Sequence, residues 1–413
     1  MKPRLFIIMG LGFWLSSPVA LADSPLNSET FSLSGFGTLG GAYNLDGEAN
    51  FIRDGIQPDG ADGRGFTGSV DSRLGLQANW KPHEDFEGVI QLVSKYRYDG
   101  SYRPQVTWAF LKYAFTPDFQ IRAGRLGYDI YPFAESRDVG YSYVWVRPPV
   151  DFFGYIYFSH LDGADLTLTH QLGNGLLKGK LFASQFNDAI PVVTTIPDVY
   201  TLKGDAWGGY LDYQTPNWLF RACLVIIKPE TEQTAVAMLQ NALRSTQVPQ
   251  AVSLAGNMGF ADKTFNFFTT GAVYDDGPFQ GQLMLSRILT DTLSYPNNTA
   301  GYASLAYRIG EWTPYLVYSR IKSGRNDHVD TGLPDTPPFD VLNAQVGLAL
   351  SNNQADQSTV SLGARYDFAP NAAFKLQVDR IHSRGYPTLL WGNTDPDWDG
   401  RATIFSATLD FVF

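Results

Sequence analysis

The chain has 413 residues, is 44% hydrophobic, 14% aromatic and only 17% charged, and carries a formal charge of −10 at pH 7. Soluble domains average roughly 25% charged residues; here 40 Gly, 28 Phe, 22 Tyr and 9 Trp replace the missing charge, which suits strands and turns and excludes disorder, collagen and a coiled coil. The acidic balance argues against a nucleic-acid partner, the negative mean hydropathy against a bundle of membrane helices, and the single Cys against a disulfide framework or Cys-based zinc site.

Lys2 and Arg4 precede an uncharged apolar stretch from Leu5 to Trp14, and Ala20-Leu21-Ala22 offers the small residues a signal peptidase reads. This pattern predicts a signal peptide over 1–22, cleaved before Asp23, and one fold unit over 23–413. A membrane anchor instead would need roughly 20 apolar residues, more than this run supplies. No later segment approaches about 18 uninterrupted apolar residues. Two classes remain: a soluble exported β protein and a barrel in an outer membrane.

Period-two alternation bounded by turn residues predicts sixteen strands, near 31–44, 70–80, 86–98, 105–115, 119–126, 163–172, 177–187, 205–214, 218–227, 264–274, 279–288, 299–309, 312–322, 357–368, 372–382 and 402–413. The rhythm is plainest at 70–80, with Leu74, Leu76, Ala78 and Trp80 on one face and Asp71, Arg73, Gln77 and Asn79 on the other. At 105–115 and 312–322 both faces carry aromatics and the parity is open. Every second connection is tight and built from turn formers, as in Thr116-Pro117-Asp118, Gly173-Asn174-Gly175 and Ala369-Pro370-Asn371. The others are mostly long: 45–69, 127–162, 228–263, 323–356 and 383–401.

An up-and-down sheet gathers all the tight turns at one end, the asymmetry of outer-membrane barrels. Trp80, Phe86, Phe119, Trp218, Phe279, Phe368, Phe374 and Phe413 fall beside the turns, while Tyr43, Tyr96, Tyr98, Phe265 and Phe405 sit at the opposite strand ends. Rings at both ends of an apolar band predict interfacial girdles. In hydrocarbon an unpaired N–H or C=O costs several kcal/mol, so the first and last strands must pair. The predicted fold is all-β, a transmembrane antiparallel up-and-down β-barrel of about sixteen strands with a wet interior.

The chain resembles the Gram-negative general porins. The likeness is carried by Phe31-Ser-Leu-Ser-Gly-Phe-Gly-Thr-Leu39, Ile121-Arg-Ala-Gly-Arg125, the hairpin from Val360 to Asn371 and the terminal Leu409-Asp-Phe-Val-Phe413. The stretch Val139 to Pro149 departs from general porins and resembles a less characterised porin-like branch. The resemblance implies a third long loop folded inward, a homotrimer, outer-membrane lipid and lipopolysaccharide as surroundings, and recognition of Phe413 by the barrel-assembly machinery. Gly35, Gly37, Gly41 and Ser72, on the outward parity, offer a surface for close subunit approach.

It also implies a constriction for small polar solutes. The third loop holds Asp129, Glu135, Asp138, Asp151 and Asp162 against Arg137 and Arg147, and Arg73, Lys95, Arg97 and Arg122 lie on the inward parity nearby. Acids on the loop facing bases on the wall would set a transverse field; the alternative is solvated lumen charges with no shared eyelet. Further inward bases are Lys178, Lys180, Arg221, Arg308, Arg365 and Lys375; inward acids are Asp71, Glu87, Asp165, Asp212, Asp367, Asp379 and Asp410. This mixture predicts weak ion selectivity. The competing readings are a channel specific for one anion or nutrient, motivated by Tyr141, Tyr143, Trp145 and Arg147, and a barrel enzyme or adhesin.

Three smaller signals complete the reading. Asp395, Asp397 and Asp399 open like a Ca²⁺ loop, but Ser406 stands where its twelfth-position acid belongs, so a solvated acidic loop is expected. Thr231 to Ser245 predicts a helix with Val236, Leu239 and Leu243 on one face. Cys223 reads as a packing thiol, the five His lack HExxH spacing, and neither a nucleophile elbow nor a phosphate loop is present, so no catalytic residue, metal or cofactor is expected.

Overall fold

The computed structural model describes residues 28–155, 160–192, 198–324, 329–351, 353–384 and 391–413. The expected signal peptide lies outside them. The strands are β1 (Phe31–Asn44), β2 (Ala49–Phe51), β3 (Arg73–His83), β4 (Phe86–Lys95), β5 (Gln105–Thr116), β6 (Phe119–Gly127), β7 (His160–Leu172), β8 (Gly175–Val192) and β9 (Asp198–Gln214). They continue with β10 (Trp218–Pro229), β11 (Phe265–Asp276), β12 (Phe279–Thr290), β13 (Asn298–Tyr307), β14 (Trp312–Ser323), β15 (Asp356–Ala369), β16 (Ala372–Ser383), β17 (Trp391–Thr394) and β18 (Arg401–Val412). All but β2 and β17 form one closed antiparallel barrel of sixteen strands; β2 and β17 pair with each other in a separate two-stranded sheet. Closure falls where backbone satisfaction demands, with β1 paired to β18 from Phe36↔Val412 to Asn44↔Ile404.

The strands alternate a lipid-like outside with a polar inside. Leu39, Leu76, Leu283, Leu305, Leu316 and Leu362 point outward and are exposed, whereas Thr38, Gln77, Ser304, Ser361, Asp379 and Asp410 are buried within. Trp80, Trp218, Phe279, Phe368, Phe374 and Phe413 are exposed beside the tight turns, as an interfacial girdle requires. At those turns Gly173, Gly277 and Gly310 adopt φ of 60°, 55° and 61°, which a side chain would strain. No helix among the described residues is long and apolar enough to cross a membrane; the crossing elements are strands.

All sixteen expected strands are present, with shifted ends. β3 begins at Arg73, three residues late, because Val70 is buried in the central apolar cluster rather than turned to lipid. β4 stops at Lys95, short of Tyr96 and Tyr98. β8 and β9 run on as a paired hairpin to Val192↔Asp198, past the expected ends at 187 and 205. The parity lost at 105–115 has a local cause. Gln91 pairs Trp108 while Leu92 pairs Val106, so Thr107 is an extra residue, and both Thr107 and Trp108 are buried.

The expected helix is α2 (Thr234–Ser245) with Val236, Leu239 and Leu243 buried, preceded in the chain by the one-turn α1 (Val150–Phe153). That short turn was not expected, and neither were two longer helices, α3 (Pro249–Asn257) and α4 (Asp340–Ser351). Together α2, α3 and α4 build a second apolar core around Leu243, Leu254, Met258, Val346 and Leu350. Asp395 and Asp399 accept the backbone N–H of Asp397 and Arg401, ordinary local turn caps.

Candidate constriction and lumen

The segment between β6 and β7 carries a dense set of ion pairs and hydrogen bonds to the barrel wall. Near its middle the backbone turns through a 3₁₀ helix at Gly140–Ser142. There it lies so close to the wall that a Cβ on Gly140 would sit 2.1 Å from Asp410 Oδ1 and 2.4 Å from Thr38 Oγ1, so only glycine fits. Lys375 Nζ, fully buried on β16, donates to Gly140 O at 2.7 Å and Trp145 O at 2.9 Å, and pairs Asp410 at 3.0 Å.

Past Gly140 the contacts turn aromatic. Trp145 is 1% exposed; its ring stacks on Tyr143 and meets Tyr302 of β13 edge-on, and its Nε1 donates to Ser304 Oγ at 2.8 Å. Phe152 packs against the same Tyr302 at 5.1 Å. Burying such rings contributes roughly 1.5–3 kcal/mol each, which sets the segment firmly against β13–β16. Inward Tyr315, Val317 and Ile321 on β14 are buried as well, which accounts for the apolar residues on both faces at 312–322.

Between these rings sits Arg147, 2% exposed. Its Nε and Nη2 grip Asp71 at 3.1 and 2.5 Å, its Nη1 reaches Asp379 at 2.9 Å, and Nη2 also donates to Ser406 Oγ at 2.5 Å. One turn on, Asp151 accepts hydrogen bonds from Ser319 Oγ at 2.7 Å, Gln357 Nε2 at 2.6 Å and Thr359 Oγ1 at 3.1 Å. Burial raises its pKa, and these three donors recover only part of the shift.

The remaining loop acids meet the wall in contact pairs. Asp138 lies 3.0 Å from Lys95 and 3.5 Å from Arg73. Burial opposes its ionisation, but Lys95, Arg137 and Arg73 outweigh that and hold its carboxyl below the usual range. Glu135 pairs Arg122 at 2.9 Å, and Arg122 also grips Asp165 on β7. Asp129 takes both Lys180 and Arg221 at 2.7 Å. Arg53, in the first long loop, pairs Asp71 at 3.1 Å; burial and the neighbouring Arg73 lower its pKa to about 10.

The expected site residues therefore separate. Arg73, Lys95, Arg122, Asp129, Glu135, Asp138, Arg147 and Asp151 all join loop to wall. Arg137 makes no ion pair within 4 Å among the described residues, and its Nη2 is buried without a partner. Arg97 lies beyond β4, half-exposed, with its guanidinium over Tyr98. Asp162 is not in the loop: it lies in β7 and pairs Arg125 on the outer face. The charges form closed pairs at contact, so the field is that of touching ions and not of two walls facing across water. Arg53 carries no periodic signal, and Lys112 of β5, paired with Glu87, is hidden by the bulge.

Burial is uneven around the ring. The inward positions of β13, β14 and β16 are buried along each whole strand and those of β18 from Ala402 to Asp410, whereas on β15 Gly363, Arg365 and Asp367 stay partly exposed. On β3–β8, Asn79, Glu87, Lys95, Lys112, Gln120, Arg122 and Lys178 stay partly exposed.

No protein-family model and no curated protein matches the sequence. Solved structures do match in shape. Outer-membrane expressed OmpT of Vibrio cholerae superposes with a TM-score of 0.53 at 13% identity, covering 94% of this chain and 99% of that one. The anion-selective porin from Comamonas acidovorans gives 0.53 at 11%, covering 93% and 99%. Salmonella typhi OmpF, in complex with daunomycin, gives 0.50 at 12%, covering 93% and 97%. The fold is that of the outer-membrane porins, spanning nearly the full length of each.

Proposed function

We propose that the chain is a bacterial outer-membrane channel through which small hydrophilic solutes and ions diffuse passively, with the segment 128–155 setting the size limit. One observation carries the reading: a closed barrel, apolar outside and charged inside, has a connecting segment bonded to both sides of its inner wall. A greasy exterior needs lipid, and a hydrogen-bonding interior penalises apolar solutes that lose water without compensation. The residues over 1–22 act as a leader that is removed. The mature barrel is placed by the assembly machinery through Phe413 among lipid and lipopolysaccharide. A trimer form is recorded for OmpT of Vibrio cholerae, and we extend a homotrimer to this chain; cross-linking in mild detergent should give a three-subunit band.

A substrate-specific channel is the second reading, favoured by how tightly Trp145, Arg147 and Asp151 fill one side of the lumen. No specific observation favours an enzyme or adhesin. Liposome swelling with sugars of rising size separates the readings. Linear, size-limited flux supports the diffusion channel, saturating flux for one solute supports the specific one, and liposomes that never swell with any solute refute both.

A further inference from the structure

A second insert shares the lumen with segment 128–155. It is built from the first and last long connections, whose strands β2 and β17 pair as Phe51↔Trp391 and Ala49↔Thr394. Both rings are fully buried and meet edge-on at 5.8 Å. They share one apolar cluster with Ile381, Ala402 and Ile404, inward residues at the loop ends of β16 and β18, which places the pair inside the barrel. The first connection doubles back tightly to reach there. Phe51 and Ala61 exchange backbone hydrogen bonds at 2.9 Å, and a Cβ on Gly60 would fall 1.8 Å from Phe51 O, so only glycine fits.

This insert holds segment 128–155 at several points. The Arg147 guanidinium lies over the Phe51 ring at 5.1 Å. Arg53 shares Asp71 with Arg147 and donates to Arg137 O at 3.5 Å, and the Gly55 N–H donates to Gly154 O at 2.9 Å. A further link is a relay through β15. Trp391 Nε1 donates to Gln357 Oε1 at 2.6 Å, and Gln357 Nε2 donates in turn to Asp151 Oδ1 at 2.6 Å. An indole N–H can only donate, so it keeps the amide oxygen on its own side and the NH₂ towards Asp151. One buried amide thereby joins the last connection to the third.

We propose that β2 and β17 form a clasp that positions segment 128–155, with Phe51 and Trp391 as positioning residues. The solute size limit then belongs to three connections together and not to the third alone. The proposal rests on the channel reading above. Neither ring needs to touch the solute: Phe51 acts through Arg147, and Trp391 through Gln357 and Asp151.

Liposome swelling with oligosaccharides of rising length, on the full-length protein, tests it. Trp391→Ala should admit an oligosaccharide that the unsubstituted protein excludes, with the unboiled gel mobility of the closed barrel unchanged. Phe51→Leu, a milder loss of the same contact, should shift the limit in the same direction. Trp391→Phe keeps a ring on Phe51 but offers Gln357 no donor, and should fall between. Adding Arg147→Ala to Trp391→Ala should raise the limit no further than Arg147→Ala alone, because both act through one segment. A cross-link supplies the rescue. A Cβ on Gly392 would fall 3.1 Å from Asn50 Cβ, a small shift from the ~3.8 Å of a disulfide. In a Cys223→Ser background, Asn50→Cys with Gly392→Cys should, once oxidised, return the Trp391→Ala channel towards the unsubstituted limit, and a reductant should undo this. An unchanged limit in both Trp391→Ala and Phe51→Leu overturns the clasp, as does a raised limit that the oxidised cross-link leaves where it was. Liposomes that do not swell with the unsubstituted protein sink the channel reading itself.

Discussion

Arg147 shows how a single side chain in the segment ties β16, β18 and the residue just ahead of β3 together. It is buried, and its partners Asp71 and Asp379 are buried with it. The net worth of such a cluster is small, but removing one member strands the others; breaking a buried pair costs about 3–5 kcal/mol. Arg147→Ala should therefore unseat the segment, raise the size limit in liposome swelling and lower the urea midpoint; an unchanged limit would mean the segment does not set it. Asp151 and Asp138 anchor the same segment with opposite pH signs. Burial raises the pKa of Asp151, so its seat is fullest with the carboxyl protonated and weakens as pH rises through that raised value. Asp138, held low by Lys95, Arg137 and Arg73 against burial, contributes above the usual carboxylate pKa and is lost as pH falls through its lowered one. Asp151→Asn keeps an acceptor oxygen for Gln357 and Thr359, turns an amide donor towards Ser319 Oγ, and removes the charge. It should flatten the fall in stability on raising pH through the acid range while leaving the loss at the lowest pH, as read from thermal melts.

At the scale of the strand, the seam between β1 and β18 shows what its glycines do. A Cβ on Gly37 would fall 2.3 Å from Phe411 Cζ, and one on Gly35 2.3 Å from Phe413 Cζ. The rings of this chain's own last strand fill the space that the sequence offered to a neighbouring subunit. Gly37→Val should destabilise the barrel by about 1–3 kcal/mol, an overpacking cost, and Phe411→Ala in the same chain should recover part of it. The mobility of unboiled protein on a gel across a urea series measures both; strictly additive effects would show that ring and glycine do not meet. The strands themselves were legible because lipid outside and polar groups inside impose a two-residue rhythm. Legibility fails where another constraint intrudes: the extra Thr107 on β5, and on β14 the inward Tyr315, Val317 and Ile321 on the filled side of the lumen. Pro249 at the start of α3 was a usable helix signal. α4 gave none, being apolar around much of its circumference. The site was half legible: parity found the charges, but no periodicity joins Arg147 to Asp379, 232 residues away.

At the scale of the whole molecule, the two largest apolar clusters among the described residues differ in what supports them. The one in the lumen is enclosed by a ring of backbone hydrogen bonds with no free edge. The one between α2, α3 and α4 is outside that ring and rests on side-chain packing around Leu243, which is fully buried. Regions with few supporting contacts open locally at a lower free energy than the global one. Leu243→Ala removes about 2–5 kcal/mol of packing, comparable with everything so small a core supplies. The helical cap should therefore open while the barrel stays closed. In proteoliposomes, protease should nick the substituted chain within 234–257 and spare the unsubstituted one, with the unboiled gel mobility of the barrel unchanged. If that mobility shift were lost at the same temperature at which the cap becomes cleavable, the two cores would be one cooperative unit, and the cap would be part of what holds the barrel together and not a separately folded cover.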